Sequence, residues 1–263
     1  MIDLHTHLLP GLDDGSHSLS ESMETLKMHH SQECKTVICT PHISPAYPNS
    51  ESIIKQTYNK LKKAVSELSL NITIHYGAEY YGETLFEKIM NNEPLIFLNN
   101  ENDPQRYLLV EFPFLVRPLW LEKLMDRLAG NNIGIVVAHP ERYGTSDSFI
   151  DIVDRGECLF ALNGSSVLSE EGTRVKKNAF SFVSRYMSRI VWSSDTHPAL
   201  NRYPQFDRVT QYLQKKFSRV IIDYWFDTLP QKIIQGKKIS ESDNAIINLY
   251  VDNFISCHKD RKE

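Results

Sequence analysis

Seven short, apolar, β-rich runs recur along the chain, at residues 2–4, 36–40, 72–78, 107–110, 133–138, 159–162 and 189–193. Longer segments of helical period separate them, the pattern of β/α units with a mainly parallel sheet. Between the second and third runs, Ile54, Tyr58, Leu61, Val65 and Leu68 alternate steps of four and three, which places one apolar stripe on a helix. Another helix is predicted to start near Ser18, where Ser18-Leu19-Ser20-Glu21 reads as a capping box ahead of Met23 and Leu26, after a loop over 9–17. The polar stretch 91–105 is expected to leave the barrel. Residues 240–257 read as a helix with Ile246, Leu249, Tyr250 and Phe254 on one side, and 259–263 as a solvated end. A chain of 263 residues fits one β/α barrel, so 1–263 is read as a single domain.

Composition narrows the function classes. Hydrophobic residues make up 41% and charged residues 24%, as in a soluble globular protein with a sizeable core. A formal charge of -4 and a sequence pI of about 6.2 give no broad attraction to nucleic acid or an anionic membrane, so an anionic substrate must be held locally. No apolar run reaches the length of a membrane span, and Met1-Ile2-Asp3-Leu4-His5 lacks the basic and apolar regions of a leader. A cytoplasmic location is therefore expected. The four cysteines, Cys34, Cys39, Cys158 and Cys257, form no CxxC pair and read as inert thiols. The sixth residue after each is Thr40, Pro45, Gly164 or Glu263 rather than arginine, which disfavours a cysteine-based phosphatase.

The chemistry gathers where the strands end. In an extended segment residues i and i+2 point the same way, so His5-Thr6-His7 can bring two imidazoles to one cation. Six of the candidate strands are followed within a few residues by a side chain that divalent metals favour: His5 and His7, His42, Glu79, Glu111, His139, and Asp195 with His197. In a parallel barrel such positions converge on one face. A core histidine or a helix cap explains any one of them; the recurrence points to a metal centre. The nitrogen and oxygen donors suit manganese, iron or zinc, and spacing does not choose among them. With Asp14, Glu79, Glu111 and Asp195 as the anionic donors, a centre of three divalent ions stays positive and attracts a phosphate dianion.

These residues carry a family resemblance. Ile2-Asp3-Leu4-His5-Thr6-His7, Leu12-Asp13-Asp14-Gly15-Ser16, Thr40-Pro41-His42, Gly77-Ala78-Glu79, Leu109-Val110-Glu111, Ala138-His139-Pro140-Glu141-Arg142-Tyr143, Leu162-Asn163 and Ser194-Asp195-Thr196-His197 span nearly the whole chain in order. The chain resembles the polymerase-and-histidinol-phosphatase (PHP) superfamily, and within it the bacterial capsule- and exopolysaccharide-associated metal-dependent protein-tyrosine phosphatases. The Asp-Asp-Gly loop and the His-Pro-Glu-Arg-Tyr stretch favour that branch. The resemblance implies a distorted (β/α)7 TIM-like barrel with its metal site at the C-terminal ends of the strands, and three metal positions, manganese being the first expectation. It implies that His5, His7 and Asp195 bind one ion, with Glu79 bridging to a second completed by Glu111 and His139, while Asp14, His42 and His197 hold the third. Asp13 is expected to shape the loop. Arg142 matches the family's phosphate-binding arginine and is expected to be both catalytic and substrate-binding. Asn163 either orients a metal ligand or caps the next helix. His17, His29, His30, His75 and His258 have no metal-site context. The loop after His42, Ile43-Ser44-Pro45-Ala46-Tyr47-Pro48, departs from the histidine-rich or aromatic pattern of the family, which bears on substrate choice.

The function implied is hydrolysis of phosphotyrosine on protein by a metal-activated water, the partner being a bacterial capsule or exopolysaccharide tyrosine kinase. Two alternatives are a small-molecule phosphatase, such as one acting on histidinol phosphate, and a metal-holding regulatory module that binds phosphorylated partners without turnover. Neither a nucleic-acid partner nor membrane insertion is expected.

Overall fold

A computed structural model describes residues 1–68, 70–112, 118–143, 154, 158–239 and 247. Nine strands form two sheets among them, and every pair is parallel. β1 (Ile2–Thr6), β2 (Thr36–Cys39) and β4 (Thr73–Tyr76) make the first, in the order β1-β2-β4. β3 (His42–Ile43), β5 (Glu79–Tyr81), β6 (Arg106–Glu111), β7 (Ile133–Ala138), β8 (Leu159–Asn163) and β9 (Ile190–Ser193) make the second, in chain order.

The two sheets are parts of one wall. β2 runs into β3 with a break at Thr40-Pro41, where proline has no N–H to give to a ladder, and β4 runs into β5 across Gly77-Ala78. Gly77 N still donates to Cys39 O at 2.8 Å and Glu79 N to Pro41 O at 3.1 Å, so the pairing continues through both breaks. At the other edge His7 N donates to Thr196 O (3.0 Å) and Asp195 N to His5 O (3.0 Å), which brings the segment after β9 back to the end of β1. Counting each broken strand once leaves a closed seven-stranded parallel barrel with TIM-like β/α connections, one strand per expected run. The breaks sit just before His42 and Glu79, and a run that reads as continuous in the sequence is there bent toward the centre.

The helices follow from their periodicities. α1 (Leu19–Ser31) starts at Ser18, whose hydroxyl accepts from Glu21 N at 3.2 Å, and it buries Met23 and Leu26 as expected. α2 (Glu51–Glu67) buries Ile54, Tyr58, Leu61 and Val65; Leu68, expected on the same stripe, is the C-cap and is 46% exposed, because the helix ends before its side chain can turn inward. α3 (Gly82–Met90), α4 (Leu121–Ala129), α5 (Gly164–Val167), α6 (Thr173–Tyr186), α7 (Phe206–Gln214), α8 (Arg219–Asp223) and α9 (Leu229–Ile234) complete the set among the described residues, a π-helical turn over Tyr224–Thr228 lying between the last two. Trp225 on that turn packs edge-on against Trp192 of β9 and donates its indole N–H to Met187 O at 2.7 Å. Each fully buried side chain of this size contributes roughly 1.5–3 kcal/mol.

Residues 91–105 are only partly the expected excursion. Ile96, Phe97 and Leu98 are buried, and Leu98 N donates to Tyr107 O at 2.8 Å, so three apolar residues inside a polar stretch dock it on the barrel. The expected helix over 240–257 and the tail after it lie outside the described residues except Ile247, which is buried. Among the described residues no helix is long and apolar enough to cross a membrane.

Candidate metal centre

All nine side chains expected at the centre meet at the C-terminal ends of the strands. Their donor atoms fall into four overlapping groups, each within 4.8 Å: His7, Asp14, His42 and His197; His5, His139 and Asp195; His5, His7 and Glu79; and His42, Glu79 and Glu111. Glu79, His5, His7 and His42 each belong to two groups, so the four sets form one continuous cluster. His139 stands beside both of its expected co-ligands, with Nε2 3.1 Å from Glu79 Oε1 and 3.9 Å from Glu111 Oε1, and it also groups with His5 and Asp195. The rings of His5 and His139 stack at 5.5 Å, a cross-barrel proximity that strand spacing does not encode.

Local backbone aims these groups. β1 is irregular between Asp3 and Thr6, and His5 Nε2 and His7 Nε2 end 3.0 Å apart. Gly15 lies against His7 so closely that a Cβ would sit 2.1 Å from His7 O, so glycine is required for the Asp13-Asp14 loop to fold over the strand end. His139 (φ 31°) and Asp195 (φ 48°) are both left-handed, a conformation that costs a non-glycine residue about 1–3 kcal/mol and tends to mark functional positions. Ladder-like bonds hold them there: His139 N to Ala161 O at 2.8 Å and Asp195 N to His5 O at 3.0 Å.

A further layer of side chains fixes which atoms face inward. His7 Nδ1 donates to Asp13 Oδ2 at 2.7 Å, leaving Nε2 toward the centre, and Asp13 also accepts from Gly15 N (2.9 Å) and His42 N (2.9 Å). Asp13 thus shapes the loop, as expected, and also orients His7. His197 Nδ1 donates to Asp195 O at 2.9 Å, which leaves its Nε2 3.4 Å from Asp14 Oδ1. Asp195 Oδ2 accepts from Arg202 Nη1 (2.9 Å) and Asn163 Nδ2 (3.1 Å) and is ion-paired with Arg142 Nη1 at 2.7 Å, and this turns Oδ1 to the centre. Asn163 is therefore an orienting residue; it makes no side-chain cap bond to α5. Tyr143 donates its hydroxyl to Glu111, and burial together with that carboxylate raises the phenol pKa and keeps it protonated.

Arg142 is more committed than expected. Besides Asp195 it donates from Nε to Glu171 Oε2 at 2.5 Å, and Glu171 is itself held by Ser165 Oγ at 2.6 Å. Arg202, Glu171 and the buried Asp3–His29 pair were not among the expected residues. Arg202 lies seven residues beyond Asp195, and only the turn that pairs His197 with Arg202 folds it back. His29 Nε2 meets Asp3 Oδ2 at 3.0 Å, and Asp3 also accepts from Ser194 N at 3.1 Å and Ser194 Oγ at 2.6 Å, so it fastens the strand ends below the centre. A signal for His29 existed: it lies three residues beyond Leu26 on the buried side of α1.

The electrostatics call for cations. Burial alone would raise the Glu79 carboxyl, but His5, His42 and His139 hold it well below the usual range. Asp195 behaves likewise, with His5 and Arg142 outweighing its burial. Asp14 is lowered to about 2, mainly by the His197 imidazole, whose Nε2 stands 3.4 Å from Asp14 Oδ1. Burial pulls His7 down, yet Asp13 and Glu79 raise it well above the ordinary histidine value, and Glu79 likewise raises His42 and His139 against their burial. Glu79 Oε2 lies within 3.2 Å of nitrogens of His5, His7 and His42, but it makes no hydrogen bond among the described residues; nor do Asp14 Oδ1 and Asp195 Oδ1. Close donors aimed at one another without hydrogen-bond geometry are what a set of metal ligands presents, so the residues fit divalent cations.

The thiols stand apart. Burial pushes Cys39 and Cys158 up to about 12 and Cys34 higher still, and all three are free; Cys257 lies outside the described residues. Serine at any of the four positions is expected to keep kcat within about twofold, at some loss of Tm where a hydroxyl is buried. A folded, metal-loaded serine variant without turnover would restore a thiol mechanism.

Comparison with known proteins fits this geometry. The tyrosine-protein phosphatase CpsB of Streptococcus pneumoniae is 27% identical over 250 residues, covering 91% of this chain and 100% of its own length. A crystal structure from work on YwqE of Bacillus subtilis and CpsB of S. pneumoniae, described as metal-dependent tyrosine phosphatases, superposes with a TM-score of 0.77 at 25% identity and covers 91% of this chain and 96% of that one. The lactonase Lmo2620 of Listeria monocytogenes shares the fold alone, with a TM-score of 0.57 at 11% identity over 90% of this chain and 95% of that one. Residues 1–235 match the family described as capsular polysaccharide synthesis, CpsB/CapC, and the chain belongs to that family.

Proposed function

We propose that the chain is a metal-dependent tyrosine-protein phosphatase that dephosphorylates a tyrosine kinase of capsule or exopolysaccharide synthesis. In this reading 1–263 acts as one phosphoesterase domain in the cytoplasm with three divalent ions, manganese foremost. The observation that carries it is the convergence of five imidazoles and four carboxylates at one mouth of the barrel, with buried Glu79 Oε2, Asp14 Oδ1 and Asp195 Oδ1 left without hydrogen-bond partners, in a chain of this family. His5, His7, Asp14, His42, Glu79, Glu111, His139, Asp195 and His197 would hold the ions. When bound, such ions activate a water and neutralise phosphate oxygens.

The chain's own residues arrange the rest. The side chains of His5, His7, Glu79, His139, Asp195 and His197 are at most 3% exposed, whereas Glu111 is 20%, His42 17% and Asp14 38% exposed, so substrate reaches the centre past the latter three. Arg142, held on Asp195 and Glu171 and 20% exposed, would steady a phosphate oxygen beside Asp195. Hydrolysis breaks the phosphorus–tyrosyl oxygen bond as the water oxygen bonds to phosphorus. The departing phenolate, with an ordinary pKa near 10, needs less protonation than an alkoxide.

The test is phosphate release from a phosphotyrosine peptide and from histidinol phosphate, with metal content measured on the same sample. A kcat/KM for the peptide at least about tenfold higher is expected. Preference for histidinol phosphate would favour a small-molecule phosphatase. Tight peptide binding with no release by a metal-loaded sample would favour a binding module.

A further inference from the structure

We infer that Tyr47 forms the seat for the substrate's aromatic ring and selects aryl over alkyl phosphomonoesters. The inference rests on the phosphatase reading and adds a specificity-determining residue to it. Tyr47 is half-buried, and its ring lies 5.7 Å from that of His42 at an interplanar angle of 13°, an offset stack on one of the centre's imidazoles. It stands on the side where the centre is open, since Asp14 and His42 are more exposed than the donors beneath them.

The loop that carries Tyr47 is short and tied down. Ser44 and Tyr47 exchange backbone hydrogen bonds at 3.1 Å, and Ser44 Oγ accepts a further bond from Tyr47 N at 3.2 Å. Asn49 Nδ2 donates to His42 O (2.8 Å) and to Leu12 O (2.9 Å), which fastens the turn to the Asp13-Asp14 loop. Ile43 pairs with Pro48 across the turn. An aromatic ring on such a turn is pre-oriented, so little conformational entropy is lost when a second ring packs on it.

Substrate chemistry supplies the link. In an aryl phosphate a single ester oxygen separates phosphorus from the ring, so a phosphate held at the centre leaves its ring at the rim. An alkyl phosphate presents only methylene groups there. Tyr143, another aromatic beside the cluster, is less suited, since its ring is tilted 57° to His139 and its hydroxyl is committed to Glu111. One aromatic pair corresponds to roughly 2- to 12-fold in affinity.

Non-hydrolysable phosphonates test this without relying on turnover. Calorimetry on the full, manganese-loaded chain is expected to show phenylphosphonate binding about 2- to 12-fold tighter than methylphosphonate. Tyr47→Ala should bring that ratio close to one, Tyr47→Phe should keep it, and metal content should be equal in all three proteins. Equal weakening of both ligands in Tyr47→Ala, or loss of metal with the ratio retained, would make Tyr47 only a support for His42 and overturn the inference. Wild-type binding of both phosphonates with equal affinity, alongside intact phosphotyrosine turnover, would overturn the inference and leave the phosphatase reading standing. Binding of neither phosphonate, with no phosphate release, would remove both.

Discussion

Chelation is expected to lower phosphate release by more than about 1,000-fold, because nothing else at the centre can bring the pKa of water from about 16 toward 7. Manganese, iron and zinc should restore it to different extents, and His5→Ala and Asp195→Ala should lose metal together with rate. Cation removal should also change how stability depends on pH. Without cations, His7, His42 and His139 have raised pKa values beside the carboxylates, so their contribution is full below about pH 6.5 and is lost as pH climbs through the raised values. Glu79, Asp195 and Asp14 have lowered values, so theirs is present above about pH 4 and is lost on acidification. The chelated protein should therefore have its highest Tm in the weakly acidic range, and added metal should move that maximum upward, since binding displaces the imidazole protons. A chelated, folded sample that still turned over at the original rate would sink the metal mechanism, and Tm profiles that coincide with and without metal would contradict the placement of cations among these histidines.

Arg142→Ala carries the second large effect. Loss of one charge-assisted contact to the substrate, worth about 1.5–3 kcal/mol, lowers kcat/KM by roughly 10- to 150-fold. From the sequence, such a variant would keep its metals untouched. The bonds to Asp195 Oδ2 and Glu171 change that expectation. Asp195 keeps Arg202 and Asn163 as donors, so the fold should survive, but weaker support of a ligand typically costs about 10-fold or more in metal affinity. Arg142→Lys should recover only part of the rate, because one ammonium cannot reach two carboxylates and a phosphate as a planar fork does. Titrating metal against kcat/KM for wild type and both variants separates the effects. Unchanged kinetics at saturating metal would confine Arg142 to supporting Asp195, and a variant indistinguishable from wild type in both respects would leave it a surface ion pair.

The sequence by itself determined the repeated β/α plan and, with the family resemblance for Asp14, the nine side chains that gather at the strand ends. Burial on both faces of a parallel strand demands an apolar run, and the residue that follows each run is set at the mouth of the barrel whatever the details of packing. His5, His42, Glu79, Glu111, His139 and Asp195 were legible for that reason. Contacts made across the barrel were decided only in the tertiary structure. The grouping of His139 with His5, the clasp of Arg142, Arg202 and Asn163 on one oxygen of Asp195, and the hold of Asp13 on His7 depend on strand closure and on left-handed turns at His139 and Asp195. The stack of Tyr47 on His42 likewise depends on how a six-residue turn closes. Hydrophobic periodicity is a property of neighbours along the chain, whereas the protonation and aim of a buried polar group are set by partners as far away as the 191 residues between Asp3 and Ser194. Only the folded chain brings those into hydrogen-bonding distance.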